Sequence, residues 1–560
     1  MNMKVKILIF FLLLCSCLHS QTESFPLYPN PVKIPVYLSA TFAEIRTNAF
    51  HAGVDIRTQG VEGKEVFAVA DGYVSRIGVS PFGYGKVLYI THDDGFTSVY
   101  AHLSKFNKKI ADFVKMKQYE NKSFSQNILL EEDMFPIKRG DFLGFTGNSG
   151  GSGGPHLHYE IRYTDTQEPV NPLFFGLKIK DNIKPCIKGL AIYPLENSIV
   201  NGSTSPFYTY SLDNPSFEVG GDIAFGINVF DQADGSNNKN GPYSIELFAD
   251  EKLIFSITSY KYSYSETRYV NSLIDYSYFI NNKERFIRTE IDEFNKLSVY
   301  DVKDGIVAVN QGDTLKMKYV VKDYNNNVSI LPFTLIGVES PEIEQNNILS
   351  NSSYNIFDGK SCDIKLNGFE THIPKNVFYR DVTLSVSKID TIQNIFSDYA
   401  YRLGSDEIPL HKKIKIRMKT AEEFVDDTLL YVAAVDKNGK LSYLGNKYND
   451  DFIEAQTNVL GTYLIAKDDI KPAIKPLNFK SGGLITENWS LRLEIEDKES
   501  GIGKYEMLVN GEWVLAEYDA KNKLLIYQID NHIKKGHNTL EVIVTDMLGN
   551  KCVYSTNLQR

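Results

Sequence analysis

Along most of the chain, apolar and polar residues alternate with the period of two that sends successive side chains to opposite faces of a strand. Leu491-Arg-Leu-Glu-Ile-Glu-Asp497, Met317-Lys-Tyr-Val-Val-Lys-Asp323 and Ile414-Lys-Ile-Arg-Met418 show it clearly. Shorter apolar runs, Val66-Phe-Ala-Val-Ala70, Val87-Leu-Tyr-Ile90 and Phe142-Leu-Gly-Phe145, sit between Asp-Gly and glycine-rich turns. The pattern predicts antiparallel sheets joined by tight turns, with few helices. It breaks between Ala111 and Phe135, where Lys115-Met-Lys-Gln-Tyr-Glu-Asn-Lys122 and Glu131-Glu-Asp133 are polar and do not alternate. This stretch reads as a partly helical insertion, either a flexible loop without function or a cap docked beside a cleft through Phe113, Met116, Tyr119 and Phe124, with Lys115, Lys117 and Lys122 free to meet carboxylates.

An internal repeat divides the rest. Lys180-Asp-Asn-Ile-Lys-Pro185-Cys-Ile-Lys188 recurs as Lys467-Asp-Asp-Ile-Lys-Pro472-Ala-Ile-Lys475, so two modules are expected to start at these points. Short strands at regular spacing follow each copy, the plan of an immunoglobulin-like β-sandwich. The expected order is a leader over 1–20, a first domain over 26–178 with the insertion at about 111–135, then β-sandwiches over 180–339, 340–466 and 467–560. The fold class is therefore all-β dominated: a small antiparallel domain followed by about three sandwich modules. Asp231, Asp497 and Asp546, beside Gly or Asn, read as turn residues in preference to calcium ligands.

Length supports several domains, since 560 residues exceed what one core organises. The N-terminus places Lys4 and Lys6 before the uncharged run Ile7–Leu14 and small residues up to Ser20, the layout of an export signal too short to be a membrane anchor. Leu14-Cys15-Ser16-Cys17 loosely resembles a bacterial lipobox with Cys17 as the lipid-bearing residue, and cleavage after Ser20 is the alternative. The expected location is the periplasm or cell envelope, as a soluble protein or an outer-membrane lipoprotein. Losing Lys4 and Lys6 takes the formal charge from −10 to −12, which argues against nucleic acid as a partner. Cys186, Cys362 and Cys552 are an odd number spread over separate modules, so neither a disulfide framework nor a cysteine metal site is expected.

The candidate chemistry is concentrated early. Of 10 histidines, five (His51, His92, His102, His156 and His158) lie within the first domain. His156 and His158, two apart on a strand, share a face, and so do His51 and Asp55, four apart, so that two strands can supply one cleft. Zinc catalysis needs three protein ligands and an open position for water, which His51, Asp55 and His158 supply. A base must then take a proton from that water, and His102 and His156 are the candidates. Thr146-Gly-Asn-Ser-Gly-Gly-Ser-Gly-Gly154 lacks the GK[ST] ending of a phosphate loop and reads as a flexible turn feeding the histidine strand.

His51-Ala-Gly-Val-Asp55, Tyr100-Ala-His102-Leu103 and His156-Leu-His158 follow one another in the order of the lysostaphin-type, LytM-like zinc endopeptidases, which residues 38–173 resemble. Val66-Phe-Ala-Val-Ala-Asp71-Gly72, Gly83-Tyr-Gly85, Thr91-His92, Arg139-Gly-Asp-Phe-Leu-Gly144 and Asn171-Pro172 also have counterparts there. The resemblance implies one Zn²⁺ held by His51, Asp55 and His158, catalysis by His102 and His156, a structural His92, and peptidoglycan stem or cross-bridge peptides as substrate. Ala43, where a glycine is common, the long glycine-rich loop and the large insertion are departures. The competing reading is a non-catalytic envelope scaffold that regulates cell-wall hydrolases, with the sandwiches binding envelope proteins. Since every candidate catalytic residue precedes Asp181, cleavage is expected to need nothing beyond about Gly176.

Overall fold

The computed structural model describes residues 24–340, 353–357, 359–390, 395–486 and 489–560. The leader, with Cys17 and Ser20, and the expected boundary at 340 lie at or beyond the edges of these segments. Strands account for 48% of the structure and helices for 7%, as the alternation predicts. Cys186, Cys362 and Cys552 are all free thiols.

The first domain is built on a nine-stranded sheet in which Val54–Arg57, His156–Tyr163, Phe96–Leu103, Lys86–His92 and Gly72–Val79 are successive neighbours. His156–Tyr163 thus lies between the strands that carry Asp55 and His102. All eight residues of Phe96–Leu103 are buried, so this central strand is enclosed on both faces. Gly53, just before Asp55, allows the backbones to close: a Cβ there would lie 2.2 Å from Tyr159 O.

The insertion forms the helix Lys108–Glu120, capped by the Asn107 side chain, which accepts from Ile110 N. Ile110 and Val114 face the domain core with Phe124. The free end of the helix docks on the last module. Tyr119 donates to Asp530 at 2.8 Å and stacks on His532 with ring centroids 5.3 Å apart, while Lys115 pairs with Asp530 and Lys117 with Glu120.

The module after Asp181 departs from two separate sheets. One 15-residue strand, Ser216–Phe230, pairs with Val328–Gly337 through its first residues and with Cys186–Pro194 through its last, joining everything into a single 11-stranded system. The change of partner falls at Gly220-Gly221, where Gly221 has φ +90°, a corner that side-chain-bearing residues rarely adopt. Residues 353–467 form sheets of six and five strands around one core, and 473–559 form sheets of four and five around another.

The first domain and its neighbour do not have separate cores. One hydrophobic cluster runs from Tyr28 through Tyr262 to Leu335. Tyr262 packs against Phe42 and Phe50, at 5.6 and 5.2 Å between centroids, and its hydroxyl donates to Phe50 O.

Candidate active site

Strand register brings the predicted residues together. Asp55 is directly opposite His158, and on the other side His158 faces Ala101, the neighbour of His102. His51 departs from the expected shared strand. It lies in the connection between Ala49–Phe50 and Val54–Arg57 and is aimed by a hydrogen bond from Nδ1 to Thr41 O at 2.7 Å. His51 Nε2, Asp55 Oδ1 and His158 Nδ1 come within 2.8–3.0 Å of one another, all three residues being buried. His156 Nε2 is 3.4 Å from Asp55 Oδ1, and the His102 ring is 4.8 Å from that of His156. His92 stands apart, bridging Asp71 O and Ser98 Oγ inside the sheet.

Each of the four clustered imidazoles has one nitrogen committed to an oxygen acceptor. His51 Nδ1 donates to Thr41 O, His102 Nδ1 to Ser149 O at 2.9 Å, His156 Nδ1 to Gly154 O at 2.8 Å, and His158 Nε2 to Glu160 Oε1 at 2.8 Å. A carbonyl or carboxylate oxygen accepts only, so that nitrogen carries a proton and the other is the one turned to the cluster. The second nitrogens of His51 and His158 face each other and Asp55, and that of His156 faces Asp55. Two imidazoles and a carboxylate this close form a donor set of the kind that holds a metal ion.

Burial pulls His158 down, but its hydrogen bonds to Asp55 and Glu160 outweigh it and raise the ring to about 9. Burial pushes the Asp55 carboxyl up, but the His51 charge and hydrogen bonds from His156, His158 and His51 outweigh it and hold the group well below its ordinary range. Burial pulls His102 down to about 3, helped by the charges of His158 and His156, so its ring is neutral. His102 has φ 58°, the left-handed region that costs a side-chain-bearing residue energy and that recurs at functional sites. Ala43, where the sequence pattern favours glycine, is likewise at φ 58°, and its N donates to His51 O.

Sequence reading missed the shell behind the cluster. Glu160 is fully buried and receives hydrogen bonds from His158, from Tyr84 OH, from Arg162 Nε at 2.7 Å and from Tyr264 OH at 3.1 Å. Its position two after His158, on the same strand face, was a readable signal; Tyr264 belongs to the following module and had none. Arg46 similarly donates to Asp55 Oδ2 at 2.9 Å. Acceptors behind metal-binding histidines typically change affinity about 10–100-fold, so Glu160→Gln is expected to weaken metal binding by that range in chelator competition. The glycine-rich loop that supplies Ser149 O and Gly154 O closes on Gly83–Gly85, where a Cβ on Gly150 would lie 2.4 Å from Gly85 N. Lys521 of the last module donates to Asn148 O and Ser152 O of this loop.

Comparison with known proteins agrees with this geometry. Residues 49–120 match Peptidase family M23. The first domain is a LytM-like M23 domain. Residues 357–468 separately match a Zu5-like domain. The DD-carboxypeptidase/endopeptidase Mpg of Neisseria meningitidis is 32% identical over 133 residues, 24% of this chain and 24% of the relative. The murein hydrolase activator NlpD of Escherichia coli is 31% identical over 121 residues, 22% of this chain and 24% of the relative. The catalytic domain of lysostaphin from Staphylococcus simulans aligns at 22% identity and a TM-score of 0.19, covering 25% of this chain and 91% of that one. The chain thus spans about a quarter of the length of the curated relatives it matches. M23 is a metallopeptidase family acting on peptidoglycan that also contains inactive regulators.

Proposed function

We propose that the chain is a zinc endopeptidase of the cell envelope that hydrolyses peptide bonds in peptidoglycan stems or cross-bridges. The observation that carries this reading is the anchoring of four imidazoles around one carboxylate, each with one nitrogen tied back to an oxygen acceptor. A regulator has no need of such a set. His51, Asp55 and His158 would hold zinc, whose chemistry there is Lewis acidity towards water and the scissile carbonyl.

The rest is done by side chains. His102, neutral and with its Nε2 lone pair free, accepts a proton from the attacking water, and its Nδ1–H bond to Ser149 O steadies the ring as charge develops. His156 Nε2, beside Asp55, is placed to carry the proton on towards the leaving amine. Glu160 and Arg46 keep His158 and Asp55 in position throughout.

Protein purified without added metal is expected to contain close to one zinc per chain by elemental analysis, and His158→Ala to lose it. Purified sacculi treated with the wild-type protein should release peptides identifiable by mass spectrometry. Wild-type protein that stays free of zinc after zinc is supplied, or that releases no peptide while stimulating another hydrolase, overturns the catalytic reading in favour of the regulator.

A further inference from the structure

Two clusters of carboxylates, five of the six buried and Asp497 half-buried, lie far from the histidines in sequence and share one geometry. Asp181, Asp231 and Asp323 bring one oxygen each within 4.8 Å of one another, and so do Asp468, Asp497 and Asp546. The clusters occupy equivalent places in the two copies of the Ile-Lys-Pro repeat. Asp181 and Asp468 follow the lysine that opens each copy, and their Oδ1 atoms accept from Ile183 N and Ile470 N. In the first module Asn327 donates through Nδ2 to Asp323 Oδ2 and Asp181 O; in the last, Asn550 does the same to Asp546 Oδ2 and Asp468 O.

Three carboxylates crowded out of water repel one another unless a positive charge joins them. Among the described residues, none of the six forms an ion pair with lysine, arginine or histidine. Burial and the neighbouring Asp181 and Asp323 charges push Asp231 up to about 7.

A separate observation points to an occupant. Asn240 is 2% exposed, and neither its Oδ1 nor its Nδ2 has a partner. Its backbone exchanges both hydrogen bonds with Asp231 at 2.8 Å, the pairing that puts opposite side chains on the same side. The amide therefore lines, with Asp181 and Asp231, a cavity of about 20 Å³, room for about one water-sized guest. Asp231 Oδ1 is also unpartnered. In the last module Ser500, 7% exposed, has an unpartnered Oγ while its N donates to Asp468 Oδ2 at 3.1 Å.

We propose that each repeat module binds one calcium ion, the first through Asp181, Asp231, Asp323 and the Asn240 carbonyl, the second through Asp468, Asp497, Asp546 and Ser500. All the donors are oxygen, which selects a hard cation. Calcium places oxygens at about 2.3–2.6 Å in irregular sets, so its ligands spread over the observed span, whereas magnesium demands a near-ideal octahedron and gives up its waters reluctantly. Asp181 and Asp468 belong to the linkers that enter Cys186–Pro194 and Ala473–Pro476, so each ion ties a linker to the body of its module. The first ion also stiffens the peptidase junction. Gly241, next to Asn240, exchanges two hydrogen bonds with the Thr41 hydroxyl, and Thr41 O orients His51.

The test is calorimetric titration of calcium chloride alone into the zinc-loaded, calcium-free full-length protein, with thermal unfolding alongside. We expect two calcium ions per chain with Kd on the order of 10⁻⁴ M, a thermal midpoint that rises with calcium, and a weaker response to magnesium. Asp231→Asn and Asp497→Asn should each leave one ion, and the double variant none. These substitutions keep the shape and remove a repelling charge, so the calcium-free variants should unfold no earlier than wild type. Wild-type protein that takes up no calcium at millimolar concentration overturns the proposal, as does undiminished binding of two ions by the double variant.

Discussion

Replacing His102 or His156 by alanine is expected to lower peptide hydrolysis by about 10²–10⁴-fold while leaving the bound metal in place. The split between rate and metal follows from position. The three atoms within 3.0 Å of one another come from His51, Asp55 and His158, whereas His156 Nε2 stands off at 3.4 Å and His102 reaches the group only through ring contacts of 4.8 Å or more. Removing an outer ring takes away a proton carrier without removing a ligand. His51→Ala should do the reverse and lose metal and activity together. Elemental analysis beside sacculus digestion separates the two classes, and a His156→Ala protein without zinc beside a His51→Ala protein that keeps it would show the roles to be misassigned. His102→Gly offers a finer check, because it relieves the left-handed backbone at φ 58°. It should be at least as stable as His102→Ala and equally inactive if the strain serves only to aim the ring.

Much of this site was legible because a strand repeats every two residues. His156, His158 and, one step on, Glu160 fall on one face by counting alone, and Asp55 meets them once the strands are paired. What could not be counted was anything set by a turn. His51 is off the strand and depends on Thr41 O, and His102 depends on a φ that no propensity suggests. The mostly-β fold followed from alternation, but the single 11-stranded system around Ser216–Phe230 did not, because Gly220-Gly221 interrupts no hydrophobic pattern while it redirects the chain. The docking of the insertion helix could not be read, because Asp530, the partner of Tyr119 and Lys115, lies more than four hundred residues away in sequence. Sequence separation also hid Tyr264, 104 residues from Glu160, and Lys521, 369 residues from Ser152 of the glycine loop.

These long-range contacts also reverse the expectation that the peptidase domain suffices. A fragment ending at Gly176 is expected to fail to fold cooperatively, and so to lose metal and activity, even though it contains every candidate catalytic residue. Its surface towards the next module is aromatic: Phe42 and Phe50 lean on Tyr262, and Phe174 touches Tyr243, Tyr260 and Tyr324. Burying such a side chain fully is worth about 1.5–3 kcal/mol, and whole domains have only about 5–15 kcal/mol of stability. Uncovering three of them, together with the hydrogen bonds of Phe50 N to Thr267 Oγ1 and Asn171 Nδ2 to Ser259 O, removes an amount comparable to the total. The cut also takes Tyr264 from Glu160, leaving the acceptor behind His158 one partner short. A longer fragment ending at Ser340 keeps these aromatic contacts and should fold and bind zinc, losing the Lys521 bonds to the glycine loop and the docking of Tyr119 and Lys115 on the last module. Circular dichroism melts, zinc content and sacculus digestion of the two fragments provide the comparison. A fragment ending at Gly176 that melts cooperatively near the full-length midpoint and cleaves sacculi would mean that the shared aromatic cluster is dispensable to the peptidase fold.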